Sequence, residues 1–133
     1  METGLEPIRD ARLNELEYFT LATLMEEQHA IPFPTEQGAF SSHLPQVFDF
    51  WKSGKIEDPP ESYSNFEERI QTVLHEISAG HGPALVVTSG GLISMVMAQA
   101  MGLGIPAMSR IALAIMHTSM HRLFPIGGHW SPV

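Results

Sequence analysis

No cysteine occurs in the 133 residues, which removes disulfide frameworks, thiolate nucleophiles and cysteine-ligated zinc or iron–sulfur sites. Basic residues are scarce: 7 Lys and Arg stand against 15 Asp and Glu, for a formal net charge of −8. That balance excludes nucleic acid or an anionic membrane surface as the main partner. No apolar run spans a bilayer either. The mostly apolar stretch 84–103 is broken by Thr88-Ser89-Gly90-Gly91, leaving pieces well short of about 20 residues. The opening residues Met1-Glu2-Thr3-Gly4-Leu5-Glu6 have neither the basic start nor the apolar core of a secretory leader, so the expected compartment is the cytoplasm. Finally, no acid follows Glu76, and beyond it Arg110 and Arg122 are the only formal charges.

What is present is a globular composition, 44% hydrophobic and 17% charged, long enough for one domain with a true core. The acidic first half reads as solvated and the uncharged second half as buried. Spacing predicts a helix over 11–29, with an irregular start around Asn14, carrying Leu13, Leu16, Leu21 and Leu24 and stopped by Pro32 and Pro34. A second helix is expected over 40–52, with Phe40, Leu44, Val47, Phe48 and Trp51 on one side, an awkward Pro45 inside it, and Gly54 as terminator. A third is expected over 63–80, with Ser64 and Glu67 as a capping box and Phe66, Ile70, Val73, Leu74 and Ile77 in register. Ala84-Leu85-Val86-Val87-Thr88 reads as a strand buried on both faces of a parallel sheet. A Gly90-Gly91 turn then leads into an apolar, Met-rich helix over 92–103. After Pro106, residues 115–124 read as a strand, and Gly127-Gly128 as a hairpin turn toward His129-Trp130-Ser131. Helix, strand, glycine turn and helix together make half of a doubly wound α/β architecture.

Ligands of such sheets bind beyond the carboxyl ends of the strands, which is where Ser89-Gly90-Gly91 lies. Glycines admit an anion close to the backbone, and the first amides of the next helix point positive charge at it. Phosphate fits that cradle; the plain alternative is a tight turn that binds nothing. Ser89 also occupies the place of an elbow nucleophile. Val87 stands where such elbows need glycine, however, and without an acid after Glu76 the order Ser…Asp…His cannot be built. His117 and His121 would share an ion on a helix, but on a strand they lie about 13 Å apart. His29, His43 and His75 are expected at the solvated surface.

Arg12-Leu13-Asn14-Glu15 early in the chain, the run from Phe40 through Trp51 and Gly54 to Glu61-Ser62-Tyr63, Phe66 and Arg69, then Leu85-Val86-Val87-Thr88-Ser89-Gly90-Gly91-Leu92-Ile93, and the closing stretch 115–133 together resemble the histidine phosphatase superfamily. This is the phosphoglycerate-mutase-like fold, and the order of the segments matches over nearly the whole chain. The resemblance implies a three-layer α/β/α sandwich and hydrolysis of a small phosphomonoester through a phosphohistidine, without metal or other cofactor. Glu15 would be the proton donor, with Glu17 a weaker candidate, and Ser89 and Gly90 would hold the phosphate.

The family's Arg-His-Gly nucleophile motif occurs nowhere in these residues. The arginines that clamp phosphate in the family are missing with it, and Ser89 stands where the family has its second histidine. Met1-Glu2-Thr3 is similar to the tail of a family segment that precedes the acid. The expectation is therefore a truncated single domain over 1–133, a partial sandwich lacking its N-terminal strand or strands and inactive alone. The alternative is a non-catalytic remnant that binds phosphate or a protein partner. The open strand edge and the Met-rich helix invite association, so a homo-oligomer is an expected form.

Overall fold

Apolar stripes at helical spacing decide most of the architecture. The structure, a computed structural model, describes residues 4–126 and 128–132. A 3₁₀ turn at Ala11–Leu13 precedes five helices: α1 (Tyr18–His29), α2 (Phe40–Lys52, entered through a 3₁₀ turn at Gln37–Ala39), α3 (Tyr63–Ser78), α4 (Gly90–Met101) and α5 (Ile105–Ala114). A hairpin of β1 (Leu123–Ile126) and β2 (His129–Pro132) follows them. One continuous core joins Leu21 and Met25 of α1, Val47, Phe48 and Trp51 of α2, Phe66 and Ile70 of α3, Leu92 and Met95 of α4, and Met108 of α5. Each such side chain taken from water contributes about 1.5–3 kcal/mol.

Local chemistry sets the boundaries. Helix α2 has the expected limits and tolerates Pro45, because the carbonyl left without a donor belongs to exposed Ser41, where water can reach it. The cap of α3 is two residues earlier than expected: the Ser62 hydroxyl, not Ser64, accepts from Asn65 N at 3.0 Å. Trp51 Nε1 donates to Glu61 O at 2.7 Å and so fixes the proline-rich loop against α2. Helix α4 begins two residues earlier than its apolar pattern suggests, with Ser89 as N-cap, and ends at Gly102 in the left-handed region with φ 66°.

Four expectations are corrected. The 11–29 helix is broken at 14–17, because tertiary partners take the carbonyls that a helix would need: Leu13 O accepts from Thr88 Oγ1 at 2.7 Å, and Arg12 O and Asn14 O accept from Arg69. The stretch Ala84–Thr88 pairs with no strand among the described residues, and Leu85 and Val87 are 64% and 83% exposed. It is a strand sequence without a sheet. Pro106 sits in the first turn of α5, where its missing N–H costs nothing. Irregular chain over 115–122 replaces most of the strand expected at 115–124, and β1 is only Leu123–Ile126. His43, expected at the surface, is 4% exposed.

Among the described residues the sheet is thus the hairpin alone, antiparallel, with Leu123 opposite Pro132 and Ile126 opposite His129. Its turn holds Gly128 at φ +83°; Gly127 lies outside the described residues, as does the resemblance placed on Met1–Thr3. The mixed α/β character holds, while the three-layer sandwich is not assembled by the described residues. No helix among them is long and apolar enough to cross a membrane.

Candidate active site

The irregular segment between the first 3₁₀ turn and α1 is where distant parts of the chain meet. The Asp10 carboxylate caps the turn by accepting from Arg12 N at 2.9 Å, and the Arg12 guanidinium spans Asp10 and Glu76 with a bidentate grip on the latter at 2.8 and 2.7 Å. These bonds hold the Asp10 carboxyl at about 2 and keep Glu76 below its ordinary range. From α3, the Arg69 fork donates to Arg12 O at 2.6 Å and Asn14 O at 2.8 Å, while its other nitrogens are held by Glu61 at 2.7 and 3.1 Å. Thr88 fastens the other side by its bond to Leu13 O. The backbone before Glu15 is tied down at three consecutive residues.

So held, Glu15 reaches the start of α4, 76 residues further along. Its Oε2 accepts from Gly91 N at 3.0 Å and its Oε1 from Leu16 N at 3.1 Å. The first bond of the α4 ladder runs from Ile93 N to Ser89 O, so the amides of Gly90, Gly91 and Leu92 lie ahead of it. Glu15 takes the middle one. A carboxylate there is favoured by the helix dipole, and only glycine permits it: a Cβ on residue 91 would stand 2.9 Å from Glu15 Cδ and from Leu16 Cδ2. Ser89 caps α4 without a side-chain bond, and its Oγ is buried with no partner.

The three residues expected at the site, Glu15, Ser89 and Gly90, are therefore neighbours in space. The expected anion cradle already holds an anion, which is Glu15 itself. Arg12 and Arg69, the cations flanking the segment, are committed to carboxylates and carbonyls. Glu15 also lies between two depressions. One, of about 490 Å³, runs beside Leu16, Tyr18, Phe40, Phe48 and Ala112; the other, of about 770 Å³, is more open and polar, beside Asn14, Glu17, Glu61 and Arg69. Glu17, exposed, borders both.

Sequence reasoning missed a pair on the wall of the first cleft. Tyr18 Oη and His43 Nδ1 are 2.7 Å apart, among the rings of Phe33 and Phe40. Burial pushes the Tyr18 phenol up to about 12 and the His43 imidazole down. His43 Nε2 is buried without a partner. The signal was present, since His43 falls in the buried stripe of α2, three residues after Phe40 and four before Val47. His117 and His121 lie on irregular chain rather than a strand, and Ser119 Oγ is the 3.1 Å neighbour of His121 Nε2. Among the described residues no three potential ligands cluster in a way that could hold a metal ion.

The family model of the histidine phosphatase superfamily (branch 1) matches residues 1–133, and the chain belongs to that superfamily. No curated protein and no solved structure matches it.

Proposed function

We propose that this chain is part of a histidine-type phosphatase domain whose whole form hydrolyses a small phosphomonoester through a phosphohistidine. Glu15 is the acid that protonates the leaving alkoxide, and Ser89 and Gly90 supply a hydroxyl and amides to the phosphate oxygens. One observation carries this reading: Glu15, bonded to Gly91 N at 3.0 Å, lies directly beside Ser89 and Gly90. That contact supports reading Glu15 as the proton donor beside an anion-favouring helix start.

These 133 residues contain no Arg-His-Gly, so nucleophile and clamp come from outside them and the chain alone does not turn over. The uncovered stretch Ala84–Thr88 supports this, because the family's three-layer sandwich would place strands against it. The domain is then completed by added strands, in the cytoplasm, with a small phosphorylated substrate as partner. A non-catalytic anion-binding or partner-binding remnant is the second reading, favoured by the commitment of Arg12 and Arg69 to other groups.

The test is a titration of the pure chain with inorganic phosphate, alongside a turnover assay with p-nitrophenyl phosphate. Phosphate is expected to shift the amides of Ser89 and Gly90 and raise the melting temperature, with no turnover. Glu15-dependent turnover would overturn the assignment of an incomplete site. Silence of residues 89–91 toward phosphate would overturn the binding role.

A further inference from the structure

We propose that the cleft of about 490 Å³ beside Glu15 is the leaving-group subsite and selects phosphomonoesters of apolar, aromatic-sized alcohols over phosphorylated sugars or acids. The inference rests on the phosphatase reading above and adds the substrate class. Glu15 borders the cleft at one end, and an acid that protonates a departing alkoxide must border the space the alkoxide occupies. The volume falls within the range that encloses small molecules.

The lining decides the chemistry. Apart from Glu15, Glu17 and Thr20, all exposed, its side chains are apolar or aromatic, with Phe40, Leu44, Phe48, Ala112 and Leu113 forming the walls. Tyr18 also lines it, but its hydroxyl is bound to His43, so the ring rather than the phenol O–H is available to a guest. Sugar hydroxyls laid against the walls of Phe40, Leu44, Phe48, Ala112 and Leu113 would leave water without a partner there, at a cost of about 1–3 kcal/mol each, since only Glu15, Glu17 and Thr20 offer polar groups. A second anionic group would meet Glu15 and Glu17 with no cation in the lining. Tyr18 and Phe40 pack edge to face, centroids 5.6 Å apart at 64°, an arrangement that a third ring can extend.

The experiment uses the full chain, isotope-labelled, titrated separately with 1-naphthyl phosphate, glycerol 2-phosphate, 1-naphthol and inorganic phosphate. The expected result is that 1-naphthyl phosphate binds about tenfold or more tighter than glycerol 2-phosphate and shifts the methyls of Leu44, Ala112 and Leu113. Ala112→Phe fills the cleft and should abolish the preference. Leu113→Glu does the same from a partly exposed position, should the first variant fold poorly. Neither should change inorganic phosphate binding more than about twofold, a difference under half a kcal/mol.

Equal affinity for the two esters, or silent cleft methyls, overturns the proposal. If inorganic phosphate still shifts residues 89–91 in that case, the phosphatase reading survives. If instead 1-naphthol and its phosphate bind the cleft equally and residues 89–91 stay silent, the phosphatase reading falls, and the leaving-group role with it.

Discussion

Replacing Gly91 by alanine sets effects of opposite sign against each other. Alanine is the better helix residue, and near the N-terminus of α4 the gain is about 0.5 kcal/mol. Against it, a Cβ would stand 2.9 Å from Glu15 Cδ and from Leu16 Cδ2. Glu15 is exposed and can swing away, losing its bond to Gly91 N; a carboxylate–amide bond at an exposed site is worth about 1 kcal/mol. Leu16 is 6% exposed, so moving its methyl costs about 1 kcal/mol more. Gly91→Ala should therefore destabilise by about 1.5 kcal/mol, or about 5 °C for a chain of this size. In a Glu15→Ala background the carboxylate conflict is gone, and the same change should cost only about 0.5 kcal/mol, a coupling of about 1 kcal/mol. Urea denaturation followed through buried Trp51 measures all four corners of that cycle. Additivity within about 0.3 kcal/mol would mean Glu15 does not sit on Gly91, and the site built on that contact would dissolve.

Three more outcomes follow from the same geometry. Arg69→Lys should lose nearly as much stability as Arg69→Ala, about 2–3 kcal/mol, because an ammonium cannot serve Arg12 O, Asn14 O and Glu61 at once; full rescue by lysine in urea melts would refute the fork. His43 is held neutral by burial, its folded value lying below the ordinary 6.5, so the unfolded chain takes up a proton the folded one refuses. Stability is then full above about pH 6.5 and falls as the pH drops below it, by up to about 1.4 kcal/mol per pH unit. The paired replacement Tyr18→Phe with His43→Phe should flatten that slope between pH 7.5 and 5.5, and an unchanged slope would refute it. Val87, 83% exposed on an uncharged unpaired stretch, should promote self-association, as open strand edges do; Val87→Lys should lower the sedimenting mass at high concentration, and identical profiles for variant and parent would refute that.

How far the sequence could be read depended on whether an element's partners lie nearby in the chain. Helix α2 is set by its own stripe and neighbours, and its limits were legible to the residue. An irregular start around Asn14 was legible, but the full break after Leu13 was not, because it depends on Arg69 and Thr88, 56 and 75 positions later, removing carbonyls from a segment with ordinary helix propensity. His43 was misplaced through its residue type, although its position in the stripe was right; burial was made tolerable by Tyr18, on another helix. The site divided in the same way. That Ser89 and Gly90 begin a helix follows from two glycines after a β-branched run, but that Glu15 would occupy the neighbouring amide does not follow from an exposed acid on an acidic segment. Only the family's order of segments joined the two. The stretch Ala84–Thr88 is the limiting case. Its Leu-Val-Val run reads as a buried strand, yet a strand's hydrogen bonds all belong to its neighbours. Without a neighbour the same residues stand as exposed extended chain. A helix can be read from one segment because its bonds close within it, whereas a strand is a statement about two.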